Sequence, residues 1–598
     1  MSAARELGRR LLPLLLFGAI AGALYARSLP GPFFFDDTIS IVENPHVRAL
    51  WPLSQALGAP PQTSVAGRPL ASLSFALSYY AFGLDPRGWR ALNVALHTAC
   101  GLLLFGLCRR ALARTSDSSL AQNAPALACA AALLWLVHPL ATDAVAYVTQ
   151  RTELLWSLAF LGALYAAERG FERERTGRPA HGWLAASALS IWIGVAAKEV
   201  MAAGPPLLLL YDRAFESGSL REAWRRHRAL HAAAFASWLC LAVLVASGPR
   251  DATVGFALPI SAASYALTQL GVIAWYLRLA FWPAPLVIAH DWPVASSVGD
   301  VWLGIAIVAP LFAATVWACV RKPQLGFLGA WFFAILAPTS SVVPIVSEIA
   351  AERRMYLPLA AVTVGIVVAA HELLRARALR GIRVALASAA LLVLAGVSAL
   401  RLELYRSTSA LWSQVLEIYP EHRLRDQIEQ ALGQELAHKG DLADALPHFT
   451  RATELRPDLA SHWSDLGRAR VIMGDLEAAA TAYERAADLA PDDPMVQVDL
   501  GFVFARQKRW LDAERTLERA LVLDPGNANA RKTLARVLVR RGESLVMDGN
   551  LEGAVPHFQR AVNLDPDFGA AQQDLGETLI RLQRGKLPPI GEGPHTPS

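Results

Sequence analysis

Charge is scarce in this chain. Of 598 residues only 18% are Asp, Glu, Lys or Arg against 54% hydrophobic, and mean hydropathy is positive, which excludes an ordinary soluble enzyme. Cysteine is scarcer still: Cys100, Cys108, Cys129, Cys240 and Cys319 each lie in or beside an apolar segment, with no Cys-x-x-Cys and no Cys/His spacing. Neither a disulfide framework nor a zinc site is supported. The formal net charge of +5 is small for this length, and the arginines gather in short segments between apolar runs. Membrane topology accounts for them, and no nucleic-acid partner is expected.

Apolar sequence is abundant and unevenly placed. Long apolar runs fill the chain to about residue 400, and charged, Ala-rich helical sequence fills the rest. Arg5, Arg9 and Arg10 precede an apolar stretch over 11–29, long enough to cross roughly 30 Å of hydrocarbon at about 1.5 Å per residue. It reads as a cleaved signal or a permanent first helix, and the spans that follow favour the second. Further candidates centre near residues 100, 132, 160, 190, 206, 238, 312, 333, 363 and 392, with an ambiguous segment at 259–290. About 11–12 transmembrane or re-entrant elements result.

The basic loops set an orientation. Arg109 to Arg114, 168–178, 221–228, Arg321-Lys322 and 375–383 fall on one side, expected to be cytoplasmic. The alternate loops are then extracytoplasmic: FFFDDTISIVENP at 33–45, HPLATDAVAYVTQR at 138–151, Lys198-Glu199 and SEIAAERRMYLP at 347–358. The loop near Arg250 and the HDWP stretch at 290–293 both come out on that outer side. The segment between them is therefore re-entrant, interfacial or a tight helical pair.

After the last apolar run a period appears. Pro457, Pro491 and Pro525 are 34 residues apart, as are Ala452, Ala486 and Ala520, and Phe449, Tyr483 and Leu517. That is the tetratricopeptide (TPR) period. Residues 460–493 supply Trp463, Leu466, Gly467, Ala479, Tyr483, Ala486 and Pro491 in register, and Ala554, Phe558, Ala561 and Pro566 mark a fourth unit displaced by seven residues. A capping helix is expected from Phe568 to Leu582. Such a stack is a scaffold with a concave face, on which Asn527, Asn529, Arg531, Arg468 and Arg470 are candidates to meet a peptide.

Chemistry is then expected in the outer loops, where Asp36, Asp37, Arg68, Asp143, Arg151, Glu153, Lys198, Glu199, Glu352, Arg353 and Arg354 share one depth. Taken singly, Lys198-Glu199 or Glu352-Arg353 would be an interfacial ion pair. Four such loops together point to a site, because each ionisable group at a membrane is costly unless paired or wetted.

FFFDDTISIVENPHV, GRPLASLSFALSYYAFGLDPRGWRALNVALH, HPLATDAVAYVTQRTELL, AAKEVMAAGPPLLLLYD and AAERRMYLPL, in this order, resemble the motif series of the transmembrane and tetratricopeptide-repeat protein O-mannosyltransferases, a branch of the C-type glycosyltransferase superfamily. The resemblance covers nearly the whole chain. It implies an all-α fold: a polytopic membrane glycosyltransferase domain over 1–406, a connector over 407–425, an extracytoplasmic TPR solenoid over 426–583 and a disordered tail over 584–598. It implies an enzyme that moves a hexose, mannose in the family, from a polyprenyl phosphate to Ser or Thr hydroxyls of exported proteins.

The resemblance also assigns roles. The acidic pair Asp36 and Asp37 would supply the base that accepts the hydroxyl proton. Neighbours in an extended loop point opposite ways, so Asp36 is favoured as base and Asp37 as organiser of the loop. Arg68, Arg151, Lys198 and Arg353 would hold the leaving phosphate. Glu153, Glu199 and Glu352 would aim those cations, with Asn93, His97, His138, Asp143 and Tyr356 in support. His97, on an apolar helix, reads equally as a packed core histidine. No cofactor and no metal are expected; the lipid-linked sugar is a co-substrate, and the other partners are the bilayer and an exported protein or peptide in the TPR groove.

Gly67 stands where the family commonly has Tyr or Phe, and Ala141 where it has a second His, so sugar or acceptor choice is open. The Ala/Arg-rich composition, the short repeat array and the lack of an endoplasmic-reticulum retrieval signal favour a bacterial plasma membrane. Two alternatives remain: a transferase acting on lipid A or an envelope glycan, and a non-enzymatic membrane-anchored scaffold.

Overall fold

The computed structural model describes residues 2–247, 260–345 and 348–586 and is helical throughout, with no β-strand among them. It divides into two units, Met1–Tyr419 and Pro420–Ser598. The division falls inside the expected connector. Helix Thr408–Ile418, which buries Leu411, Trp412 and Val415, belongs to the first unit, so that unit runs past the expected limit at 406.

In the first unit six helices are long and apolar enough to cross a membrane: Leu11–Ser28, Pro86–Ala113, Ser118–Leu136, Arg228–Ala246, Val298–Arg321 and Arg380–Leu404. His181–Ala197, Pro323–Leu336 and Pro358–Leu373 are shorter apolar helices, and Arg151–Arg175 ends in the charged run expected of a basic loop. This is a multi-pass membrane protein. Proline opens several of these helices, where its missing N–H costs nothing; at Pro86 the Asp85 carboxylate also accepts the Arg87 N–H at 3.0 Å. The span expected near 206 is built in series from a 3₁₀ stretch Glu199–Ala203, helix Gly204–Asp212 and a π turn Arg213–Ser217, the first change falling at Gly204-Pro205-Pro206.

The ambiguous segment is one helix, Ala262–Phe281, whose continuation folds back along it. Trp292 packs on Trp275 at 5.3 Å, and the Ala295 N–H donates to Thr268 Oγ1 at 2.9 Å. The chain thus enters and leaves this segment at one end. The loop near Arg250 lies outside the described residues. Helix Pro69–Phe82 was not among the expected spans; at 14 residues it lies across the ends of others, with Arg68 on Glu199, Ser74 and Ser78 on Arg151, and the Gly83 carbonyl on the Trp89 indole.

The second unit is a stack of helix pairs: Arg425–Lys439 with Leu442–Leu455, Ala460–Met473 with Leu476–Leu489, Pro494–Arg506 with Trp510–Leu523, and Ala528–Met547 with Leu551–Leu564. Gly467 sits under the Tyr483 ring, where a Cβ would lie 2.8 Å from ring atoms, and Gly542 sits likewise under Phe558. The small residue sets the pair distance and the aromatic fills the gap. The seven-residue displacement is absorbed by lengthening one helix, since Ala528–Met547 has 20 residues where Ala460–Met473 has 14. Helix Gly569–Lys586 closes the stack, longer than expected; the rest of the expected tail, 587–598, lies outside the described residues.

Candidate active site

The FFFDD loop is anchored on protein. Phe33 meets Trp89 edge-on, Phe34 packs on Tyr147 and Tyr405, and Phe35 meets Trp412 of the connector helix. Only glycine fits at 31, because a Cβ there would collide with the Tyr405 carbonyl. Arg90 clamps the loop from below: its Nε donates to the Ala146 carbonyl at 2.8 Å and its terminal nitrogens donate to the carbonyls of Gly31 and Pro32. Phe35 is held at φ 53°, a left-handed conformation that costs a non-glycine residue of order 1 kcal/mol.

That kink sends the two aspartates apart. Asp37 is wholly buried, accepting the Thr149 N–H at 2.8 Å and the Phe34 N–H at 3.5 Å, so its carboxylate is consumed by backbone. Burial pushes it up to about 7. Asp36 is half-buried. Its N–H donates to the Tyr147 hydroxyl at 3.0 Å, and the charged groups near enough to act on its carboxyl are Glu348, Arg353 and Arg68. Burial, with Glu348 adding, pushes Asp36 up to about 6; Arg353, Tyr147 and Arg68 oppose.

Three cations share this outer region, each paired with a carboxylate. Arg68 grips Glu199 with two N–H groups, at 3.2 and 2.8 Å, and donates a third to the Ser64 carbonyl at 2.9 Å. Lys198, buried, pairs with Glu153, whose other oxygen accepts from the Trp156 indole at 2.5 Å. Arg353, also buried, pairs with Glu348 and lies 3.5 Å from Asp143. Asp143 in turn accepts from the Tyr405 hydroxyl at 3.2 Å, and burial pushes it up to about 6. Cations and acids together can hold an anionic group beside a partly exposed carboxylate.

Several expected site residues are spent elsewhere. Arg151, expected on phosphate, is fully buried and donates to Asn93 Oδ1 at 2.7 Å, Ser78 Oγ at 2.6 Å and the carbonyls of Ser74 and Trp89 at 3.1 Å each. Four of its five N–H groups hold helices together, and its face lies over the Phe75 and Trp89 rings. Asn93 completes that clamp, donating to the Val145 carbonyl at 3.1 Å. His97 is a core histidine, bonded to the Tyr356 hydroxyl at 2.7 Å and the Leu136 carbonyl at 2.9 Å, which also occupies Tyr356. His138 caps its own turn and reaches the Ala280 carbonyl at 3.2 Å; burial lowers it to about 4, so it is neutral. Glu352 turns from Arg353 to accept from the Val287 N–H at 2.5 Å, His290 at 2.9 Å and Arg401 at 3.4 Å.

Tyr147, Glu348, Arg90, His290 and Arg401 escaped the sequence reading. Tyr147 and Arg90 lie inside the quoted motifs and Glu348 inside the 347–358 loop, and Arg90 and Arg401, costly charges near the ends of apolar helices, also carried a signal of their own. In the repeats Asn527 is spent capping, accepting the Ala530 N–H at 3.0 Å, and Arg470 donates to the Ala478 carbonyl at 3.1 Å; Asn529, Arg531 and Arg468 are exposed.

Residues 431–494 and 498–567 match the family model described as Tetratricopeptide repeat. Human protein O-mannosyl-transferase TMTC4 is 27% identical over 491 residues, which are 73% of this chain and 65% of the relative. Human TMTC1 is 26% identical over 527 residues, 77% of this chain and 58% of its own. Mouse TMTC1 reaches 36% over 171 residues, covering 27% of this chain and 17% of the relative. The matched part is thus less than two thirds of these relatives' own length. A solved structure of MamA aligns with 26% of this chain and 86% of its own length at 20% identity and a TM-score of 0.23. In single alignments that cover about three quarters of it, the chain is similar to proteins named protein O-mannosyl-transferases, and it carries tetratricopeptide repeats.

Proposed function

We propose that this chain is a glycosyltransferase that moves a hexose, mannose in the first instance, from a polyprenyl phosphate to Ser or Thr hydroxyls of proteins. The observation that carries the reading is the divergence of the aspartate pair: Asp37 is consumed by backbone N–H groups, while half-buried Asp36 keeps a carboxyl beside Arg353 and Arg68. A hydroxyl is a poor nucleophile until its proton has somewhere to go. Asp36 accepts that proton as the hydroxyl oxygen bonds to the anomeric carbon. The bond from that carbon to the phosphate oxygen breaks, and the departing polyprenyl phosphate takes the electron pair. Arg353, Lys198 and Arg68 receive its charge, their orientation fixed in advance by Glu348, Glu153 and Glu199. No step is assigned to a metal. The repeats bind the protein acceptor and raise its concentration at the enzyme.

The test is transfer by the purified full chain from polyprenyl-phosphate mannose to an exported protein. Hexose on Ser or Thr by mass spectrometry, lost in Asp36→Asn, is the expected result. An unmodified protein beside a modified envelope glycan would move the acceptor to the glycan; no transfer to either, with donor bound, would leave a scaffold.

A further inference from the structure

Far from the Asp36 region the fold assembles a group that no sequence spacing announced. Asp212 ends helix Gly204–Asp212, His227 caps helix Arg228–Ala246, and His231 follows one turn later in that helix. Asp212 Oδ2 lies 2.6 Å from His227 Nδ1 and 2.8 Å from His231 Nε2. All three side chains are at most 1% exposed. The ligand atoms lie within 4.8 Å of one another.

The surroundings are those of a metal's outer shell. The far nitrogen of His227 is 3.0 Å from Glu174 Oε2, and the Ser217 hydroxyl donates to Asp212 Oδ1 at 2.6 Å. A carboxylate behind a histidine ring, and a hydrogen bond behind a carboxylate, fix the direction of ligands and raise their basicity. Phe171 stacks on the His227 ring at 4.5 Å and Trp224 lies parallel to His231, which excludes water from the sides. Glu174 is shared with Arg226 at 3.3 Å, so its charge is not wholly spent on His227. Without an ion, a nitrogen of each ring faces the same Asp212 oxygen. With one, each ligand atom retreats by about half an ångström to reach bonds of about 2.0–2.2 Å.

We infer that Asp212, His227 and His231 bind one divalent transition-metal ion of the zinc class. Two imidazole nitrogens and one carboxylate oxygen suit that class, with water in a fourth position. The ion pins three helices, Gly204–Asp212, Arg228–Ala246 and, through Glu174, Arg151–Arg175. Glu174 stands about 35 Å along its helix from Arg151, so the site is structural and takes no part in sugar transfer.

Untagged full-length protein in detergent, stripped with a chelator and titrated with zinc, tests this directly. We expect one zinc per chain by elemental analysis, a rise in thermal midpoint on loading, and at least about tenfold weaker binding in His231→Gln and Asp212→Asn. Cobalt in the unaltered protein provides a readout that needs no variant: visible bands without near-ultraviolet thiolate charge transfer mark nitrogen and oxygen ligands and exclude the five cysteines. Wild-type protein that stays metal-free and keeps the same midpoint with zinc or chelator overturns the inference. So do variants that bind zinc as wild type does, or a cobalt spectrum of thiolate type.

Discussion

Ion pairs mean different things in the two units. At the outer loops of the membrane unit they join residues far apart in sequence: Arg68 with Glu199, 131 positions away, and Lys198 with Glu153, 45 away, the second pair at side-chain exposures of 9% and 4%. In the repeat stack Arg456 with Asp458, Arg451 with Glu454, Lys439 with Glu435 and Arg540 with Glu543 are two to four positions apart and lie mainly at the surface. Surface pairs contribute little to stability, whereas a buried charge left without partners is severely destabilising. Buried pairs such as Lys198 with Glu153 are therefore the costly ones to break, and the short-range pairs of the stack add little.

Substitution of a buried and an exposed arginine is the most forceful way to break this contrast. Arg151→Met strands the Asn93 amide oxygen in a dry interior and removes the cross-helix donor from the Ser74 and Trp89 carbonyls, and should cost about 3 kcal/mol, enough to lower the yield of folded membrane unit. Arg456→Met in the stack should leave the thermal midpoint unmoved. Equal yields and midpoints for the two variants would erase the distinction.

Next in size is a change in rate alone. Asp36→Asn keeps shape but cannot accept a proton, so turnover should fall by about 100-fold or more while donor affinity changes little. Asp37→Asn should instead lower the yield of folded protein, because its carboxylate holds the Thr149 and Phe34 amides. Near-normal turnover for Asp36→Asn would remove this residue from the chemistry.

The contrast also explains what could be read in advance. Pro457, Pro491 and Pro525 announce the stack because each repeat solves the same packing problem at the same spacing, and the two-turn lengthening of Ala528–Met547 shows directly as a shifted Ala554 and Phe558. The membrane helices are legible because lipid demands apolar length. The partners of the charged groups are not, since nothing local distinguishes Arg151, which braces helices, from Arg353, which faces Asp143 and Glu348. Both are arginines at the start of a helix or turn in an outer loop. Glu352 and Glu348 differ by one turn of chain, and the return of 282–297 along Ala262–Phe281 decides which one meets His290. The connector misled for a related reason: Trp412 looks like any amphipathic-helix residue until Phe35 is placed against it.

A smaller effect sharpens the comparison from the side of the stack. Gly467→Ala puts a methyl 2.8 Å from the Tyr483 ring, and overpacking of this kind costs about 1–3 kcal/mol. Repeats contact only their neighbours, so the damage should stay in the stack. Proteolysis between Ala460 and Leu489 should quicken, and transfer to a whole protein should fall more than transfer to a short peptide. Equal losses on both acceptors would deny the repeats a part in acceptor choice.

The smallest expected effect is a displacement along the pH axis, and it isolates one ion pair of the membrane unit. Asp36 must be ionised to accept a proton, and it titrates at about 6, so kcat/KM should fall as pH drops through that value. Burial raises Asp36, and the negative charge of Glu348 raises it further, while Arg353 pulls it down. Glu348→Gln removes a like charge and favours the ionised form of Asp36, so the acid limb should move to lower pH by a fraction of a unit. The same substitution frees Arg353 from its carboxylate partner, which strengthens that cation's pull on Asp36 in the same direction. Both consequences therefore share a sign. A limb that stays in place in Glu348→Gln, or moves to higher pH, would show that the group titrating near 6 is not Asp36, and it would exclude Asp143 too, which burial also raises to about 6 and on which Glu348 and Arg353 act in the same directions.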